Sequence, residues 1–341
     1  MNTKSAIIIS PLPLLPVKSG MQNTINLLCR FLKEKKYKIF FFEIKTNNKI
    51  DPILNLEIKK NLIKKIKTKV NNLRNLKFVF VNTSKILFNL KFFLDEKYDF
   101  KTMLVCHDLY YFRKKYFDKI KIRDNTKLSI KDEINILKKV DHIIDFSQNE
   151  FNFLLKKKIL KKKFIKTLTP TVKFKKINIF KKKKYDLLYV SSNWLQNHLS
   201  IKNFLKEVDI NQSKFKILIL GNLPIKRKNI DKKSYSIKMF NECKIGIAIM
   251  KNPTGRQTKI FEMLSAGLPV FTNVDLSEFG LKDNKHYKFF DKKKSLVEQL
   301  NHLIQDKTLQ KKISKNAYNW SKKNTFYKKA FQSINQILIR V

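Results

Sequence analysis

Short apolar runs alternate with helical periodicities from one end of the chain to the other. In the first half, runs with the length of strands lie at 6–10, 38–44, 77–81, 102–106, 142–146 and 164–168. In the second half they lie at 185–191, 216–220, 245–250, 268–272 and 287–290. Between them the spacing predicts helices over 21–36, 130–139, 201–208, 256–266, 295–304 and 309–322, and a final one over 327–339. Strands and helices in this order predict an α/β chain of parallel sheets with crossover helices. At 341 residues there is room for two domains, each able to bury its own core. The segment 156–184, crowded with lysine and carrying Thr169-Pro170-Thr171, reads as their boundary.

Glycine is used sparingly, at positions 20, 221, 246, 255, 267 and 280. Gly20 ends the loop after the first strand, Gly221 closes the run 217–220, and Gly255 and Gly267 bracket the helix 256–266. Those four fall where ligands of open parallel sheets gather, outside the carboxyl ends of the strands.

The segment 253–270 carries the most chemistry. A helix opening near Gly255 presents free N–H groups and partial positive charge, which suits a phosphate. Lys259 and Glu262 stand three residues apart on one side of that helix. The lysine adds a full charge for a diphosphate, and the carboxylate can accept hydrogen bonds from two sugar hydroxyls. The plain alternative is a surface salt bridge worth tenths of a kcal/mol.

The residues Gly255, Lys259, Glu262, Ala266-Gly267, Pro269-Val270 and Phe279-Gly280-Leu281 resemble the donor-binding signature of family 4-like glycosyltransferases. Tyr189-Val-Ser-Ser-Asn-Trp-Leu-Gln-Asn197, Asn316-Ala-Tyr-Asn-Trp320, Thr325-Phe326 and Val140-Asp-His-Ile-Ile-Asp-Phe-Ser147 extend the resemblance, closely in the second half and loosely in the first. It implies a GT-B fold, two Rossmann-like doubly wound domains facing each other across a cleft. An acceptor-binding domain would span 1–170, a nucleotide-sugar-binding domain 171–325, and a helix at 326–341 would cross back onto the first. It also implies a retaining, metal-independent transfer from a UDP-, GDP- or similar sugar.

Carried onto this sequence, Lys259 is the catalytic cation facing the diphosphate, with Gly20, Gly255, Arg256, Thr258, Glu262 and Asn197 beside the nucleotide. His107, at the end of a first-domain strand, matches a histidine that relatives set against the donor sugar; Asp108 follows it. A structural histidine and a solvated Arg256 are the competing readings. The chain departs from the family pattern in three places. Ser191 stands where a glycine is usual, Gly20 is followed by Met21, and Thr254 occupies the place of the first acid of an E-x7-E pair. Lys202 follows the strand at 185–191, where relatives hold phosphate with arginine and lysine, but reads as a solvated helix lysine. The sequence has no D-x-D pair, so metal-dependent transfer lacks its usual ligands.

A formal charge of +47 invites nucleic acid as a partner, yet the excess is lysine and only seven arginines occur. Base and phosphate recognition leans on arginine's planar fork. The basic amphipathic stretch 59–77 suits an anionic membrane surface instead, or a helix whose apolar face lies on the core. No apolar run is long enough to span a bilayer, and the prolines within 6–17 suit a signal peptide poorly. Three cysteines without metal spacing fit reduced thiols in the cytoplasm. His142, His198, His286 and His302 read as strand-start, loop or surface residues. The reading is a cytoplasmic, peripherally membrane-associated glycosyltransferase acting on a surface glycan or lipid-linked saccharide. The alternatives are a non-catalytic GT-B binding subunit, a nucleotide-sugar epimerase and a basic nucleic-acid-binding scaffold.

Overall fold

The computed structural model describes residues 3–17, 19–45, 55–107, 109–119, 121–122, 124, 128–145, 148–172, 174–179, 181–191, 195–208, 215–221, 223–225, 227–250 and 258–340. In the first lobe the elements run β1 (Ser5–Ser10), α1 (Gly20–Glu34), β2 (Lys38–Glu43), α2 (Lys60–Asn71), β3 (Leu76–Asn82), α3 (Ser84–Asn89) and α4 (Phe92–Asp95). Then follow β4 (Lys101–Cys106), α5 (Tyr110–Lys119), α6 (Ile130–Lys139), β5 (His142–Asp145), α7 (Gln148–Lys156) and β6 (Phe164–Lys166). The second lobe holds β7 (Tyr185–Val190), α8 (Leu195–Val208), β8 (Ile217–Leu220), β9 (Ile230–Lys233), β10 (Cys243–Ala248) and α9 (Thr258–Ala266). It continues through β11 (Val270–Thr272), β12 (Lys288–Phe289), α10 (Leu296–Gln305) and α11 (Lys307–Asn324) to α12 (Tyr327–Ala330) and α13 (Gln332–Arg340).

Each lobe is built on a six-stranded sheet, in the orders β2-β1-β3-β4-β5-β6 and β12-β11-β10-β7-β8-β9, with parallel neighbours. Alternate residues of one strand enter different cores. Ile7, Ile9, Val79 and Val81 join one apolar cluster, while Ala6, Ile8, Phe78 and Phe80 join the other. The second sheet does the same, with Leu188 and Leu218 on one face and Leu187 and Ile217 on the opposite one. Burial on both faces is what a parallel sheet covered by crossover helices demands.

Every strand expected from the apolar runs is present. One more, β9, was not legible because only Ile230 of its four residues is buried. It is an edge strand, where lysines are tolerated and discourage pairing with a further chain. The short helices α3 and α4, and α5 and α7, also went unread. On α5 the buried positions include Arg113 beside Tyr110 and Phe117, which blurs the apolar stripe. Within the lysine-rich segment 156–184, the strand expected at 164–168 forms as β6. The final helix is interrupted at Phe331 instead of running unbroken.

The amphipathic stretch folds as α2, and its apolar side is committed to the protein. Ile66 and Val70 are buried in the first-lobe core, and Leu62 and Ile63 pack against it. That apolar face therefore has nothing left to insert into a bilayer. Among the described residues no helix is long and apolar enough to cross a membrane.

The chain passes between lobes twice, and the two passages pair. Thr171 N–H donates to Thr325 O at 2.8 Å, Tyr327 N–H donates to Thr171 O at 3.0 Å, and the hydroxyls of Thr171 and Thr325 lie 3.1 Å apart. Beyond this crossing, Tyr327, Phe331, Ile334 and Leu338 pack with Ile25, Leu28 and Leu32 in the first-lobe core.

Candidate active site

The helix α9 is apolar on nearly every side, and from Lys259 to Ala266 all its residues are buried. It lies so close to β10 that a Cβ on Gly246 would meet Met263 Sδ at 2.3 Å. Two charged groups are carried into this dry setting. Lys259 is 8% exposed and Glu262 is 5% exposed. Residues 251–257 precede α9, so Gly255, Arg256 and Thr254 lie outside the described residues.

Lys259 and Glu262 do not pair with each other, so the surface salt bridge considered from their spacing is not what the fold builds. Lys259 Nζ donates to Asn197 Oδ1 at 3.2 Å and lies 5.1 Å from the centre of the Tyr189 ring. No carboxylate forms an ion pair with it among the described residues. Burial, which disfavours the charged form, brings its pKa down to about 8. Asn197 lies within the first turn of α8, which starts earlier than the helix expected over 201–208. Its backbone carbonyl accepts from Tyr189 OH at 3.4 Å, so strand β7 and helix α8 together hold the partner of the ammonium.

The Glu262 carboxylate turns elsewhere. Oε1 accepts from Asn23 Nδ2 and Oε2 from Tyr235 OH, each at 2.9 Å. Burial lifts its pKa to about 7 against the opposing pull of those two hydrogen bonds. The same burial and the adjacent carboxylate push the Tyr235 phenol well up. Asn23 lies on α1, so Glu262 is bonded from both lobes at once.

Gly20 opens α1 behind the cap Ser19, whose Oγ accepts from Gln22 N–H at 3.2 Å. It stands against Thr258 on α9. The structure thus brings together Gly20, Thr258, Lys259, Glu262 and Asn197, residues spread over most of the chain. His107 follows β4 directly and is half-buried at the carboxyl edge of the first sheet, the edge from which the loop into α1 also leaves. Asp108 is outside the described residues. Lys202 is exposed on α8. His286 lies in a turn, as the loop reading expected, but is buried there, and its Nδ1 accepts from Lys282 N–H at 3.0 Å.

Three neighbours of the charged pair had no signal that sequence reasoning could use. Asn23 is one polar residue in an amphipathic helix, Tyr235 follows an edge strand, and Tyr189 is one of several aromatic residues in apolar runs. Chemically the arrangement offers a buried ammonium with no counter-ion among the described residues, two helix starts close together, and a carboxylate poised between its charged and neutral forms. Among the described residues no three His, Cys, Asp or Glu side chains cluster.

Residues 198–336 match the family model described as glycosyl transferase-like. Comparison by sequence with curated proteins gives no match. Among solved structures, the sucrose-phosphate synthase of Thermosynechococcus elongatus superposes with a TM-score of 0.75 at 12% identity, covering 99% of this chain and 98% of that one. HepE of Anabaena, solved with UDP-glucose, gives 0.69 at 11% identity over 98% and 100% of the two chains. A glycosyltransferase of Rickettsia africae ESF-5 gives 0.64 at 14% identity over 100% and 99%. The architecture these likenesses establish is GT-B.

Proposed function

We infer that this chain, which has GT-B architecture and matches the glycosyl transferase-like family model over residues 198–336, is a glycosyltransferase that moves a sugar from a nucleoside diphosphate to a surface-glycan or lipid-linked saccharide hydroxyl. The observation that carries this reading is Lys259: an ammonium buried among apolar side chains, held by an amide oxygen and a ring face, with a carboxylate one turn away that does not neutralise it. A buried charge without a counter-ion is costly, and a site that receives an anion explains why it is kept.

In this reading the diphosphate lies against Lys259 and the starts of α1 and α9, where Gly20 stands against Thr258, with Gly255 and Arg256 just ahead of α9 in the sequence as further ligands. As the sugar C1–oxygen bond breaks, negative charge grows on the departing diphosphate. A fixed ammonium in a low-dielectric pocket stabilises that charge more than water does. Positive protein charge takes the part that a divalent metal plays in other transferases, and transfer proceeds with retention. Glu262 holds the ribose, Asn197 orients Lys259, and His107 borders the sugar from the first lobe. Residues 1–170 then receive the acceptor, 171–325 hold the donor, and 326–341 tie the lobes together. That HepE was solved with UDP-glucose, and in another structure with UDP and glucose, supports a uridine donor as the first to test. Three free, buried cysteines suit a reducing compartment, and the exposed lysines of α2 suit loose attachment to an acidic inner membrane face.

Calorimetric titration of UDP and GDP into wild-type and Lys259→Ala protein tests the assignment. Binding in the wild type and at least a hundredfold loss in the variant is the expected result; equal affinity removes Lys259 from the site. Binding without sugar transfer or hydrolysis would make the chain a binding subunit.

A further inference from the structure

The Glu262 carboxylate is where the two lobes exchange a hydrogen bond across 239 positions of sequence. Asn23 covers one oxygen from the first lobe, and Tyr235 covers the other from the second. With both in place Glu262 is 5% exposed. A ribose offers two adjacent hydroxyls, and a single carboxylate takes them only if its oxygens can be reached. One of the two covering groups must therefore withdraw. Tyr235 follows β9 on the same lobe as Glu262 and travels with it. Asn23 travels with α1.

The two helices are in register at this junction. Gly20 touches Thr258 one turn before Asn23 and Glu262 meet, so parting the helices breaks both contacts together. Elsewhere, Leu199 of α8 packs against Phe117 of the first lobe. That contact is apolar and has little directional preference, whereas the amide–carboxylate bond at Glu262 holds in one geometry only.

We propose that Asn23 is a latch between the lobes, seating Glu262 while the nucleotide is absent and giving up its place to the ribose diol when a donor enters. The proposal rests on the reading of Glu262 as the ribose anchor. Nucleotide affinity is then lowered by the fraction of molecules in which the latch is closed, and removing the latch recovers it. Asn23 touches no reacting atom in this scheme; it is a positioning residue that acts through Glu262.

The test is titration of UDP and GDP into the full chain as wild type, Asn23→Ala and Asn23→Ser, with Lys259→Ala alongside. Serine is too short to span the gap, so both Asn23 variants lose the bond by different chemistry. The expected result is about tenfold tighter nucleotide binding in both, the size of one modest hydrogen bond. Unchanged affinity, or weaker binding, overturns the latch; the weaker result would make Asn23 a direct ligand. If the wild type binds and Lys259→Ala does not, an unchanged Asn23→Ala sinks the latch alone. If no nucleoside diphosphate binds the wild type, the ribose-anchor reading falls and the latch falls with it.

Discussion

Gly20 and Thr258 leave no room for a side chain between them: a Cβ built on Gly20 would lie 1.7 Å from Thr258 Oγ1 and 2.5 Å from its Cβ. The contact joins the first residue of α1 to the first described residue of α9, and so one lobe to the other. Glycine is needed here for close approach, not for an unusual backbone angle.

An alanine at Gly20 must push the two helices apart or displace Thr258. Gly20→Ala should cost about 1–3 kcal/mol of stability, the range for forcing atoms into a packed contact. Urea denaturation of the single variant and of Gly20→Ala combined with Thr258→Gly checks it. The double variant should recover most of the loss; additive losses would show that the strain lies elsewhere.

Nucleotide binding should be bell-shaped in pH. Lys259 is cationic below its pKa of about 8, so affinity falls as pH rises through that value. Glu262 is ionised above about 7, so its bonds to a ribose weaken as pH falls through it. Binding the diphosphate also raises the Lys259 pKa, and proton uptake should accompany binding between about pH 8 and 9. Titrations in buffers of different ionisation enthalpy read that uptake directly.

The ligand-free fold carries a penalty at both groups. For Lys259 the folded pKa lies below the free value of 10.5, so the penalty is full below about pH 8 and fades as pH rises from 8 to 10.5. For Glu262 the folded pKa lies above 4.5, so its penalty is full above about pH 7 and fades as pH falls towards 4.5. Lys259→Met should therefore stabilise the nucleotide-free protein at pH 7 by about 1–3 kcal/mol while eliminating nucleotide binding. Thermal unfolding with and without UDP measures both effects. A variant that is less stable without ligand would mean that the Asn197 and Tyr189 contacts outweigh the desolvation.

Tyr235→Phe removes one of the two hydrogen bonds that hold the Glu262 pKa down. The acid limb of the binding profile should move to higher pH, with a stability loss of about 1 kcal/mol. An unmoved limb would detach Glu262 from that titration.

Sugar transfer should persist after EDTA treatment and dialysis. Strict dependence on added Mg²⁺ or Mn²⁺ would contradict the role given to Lys259, because the diphosphate charge would then be met by metal.

The order of strands and helices was set by local chemistry that one residue's neighbours can carry. Apolar runs such as 77–81 and 102–106 have few stable destinations other than a sheet covered on both sides, which is why they specify parallel sheets by themselves. The pair Lys259 and Glu262 was likewise marked by its spacing and by the glycines around it. Their surroundings were not. Whether Lys259 met a carboxylate or an amide, and whether Glu262 faced solvent, depended on α8, α1 and the turn after β9 arriving at one place from positions 197, 23 and 235. The contacts from 197 and 235 follow from how the second lobe packs around its sheet, the one from 23 from how the two lobes meet, and desolvation, which moved both pKa values, exists only once that packing has excluded water.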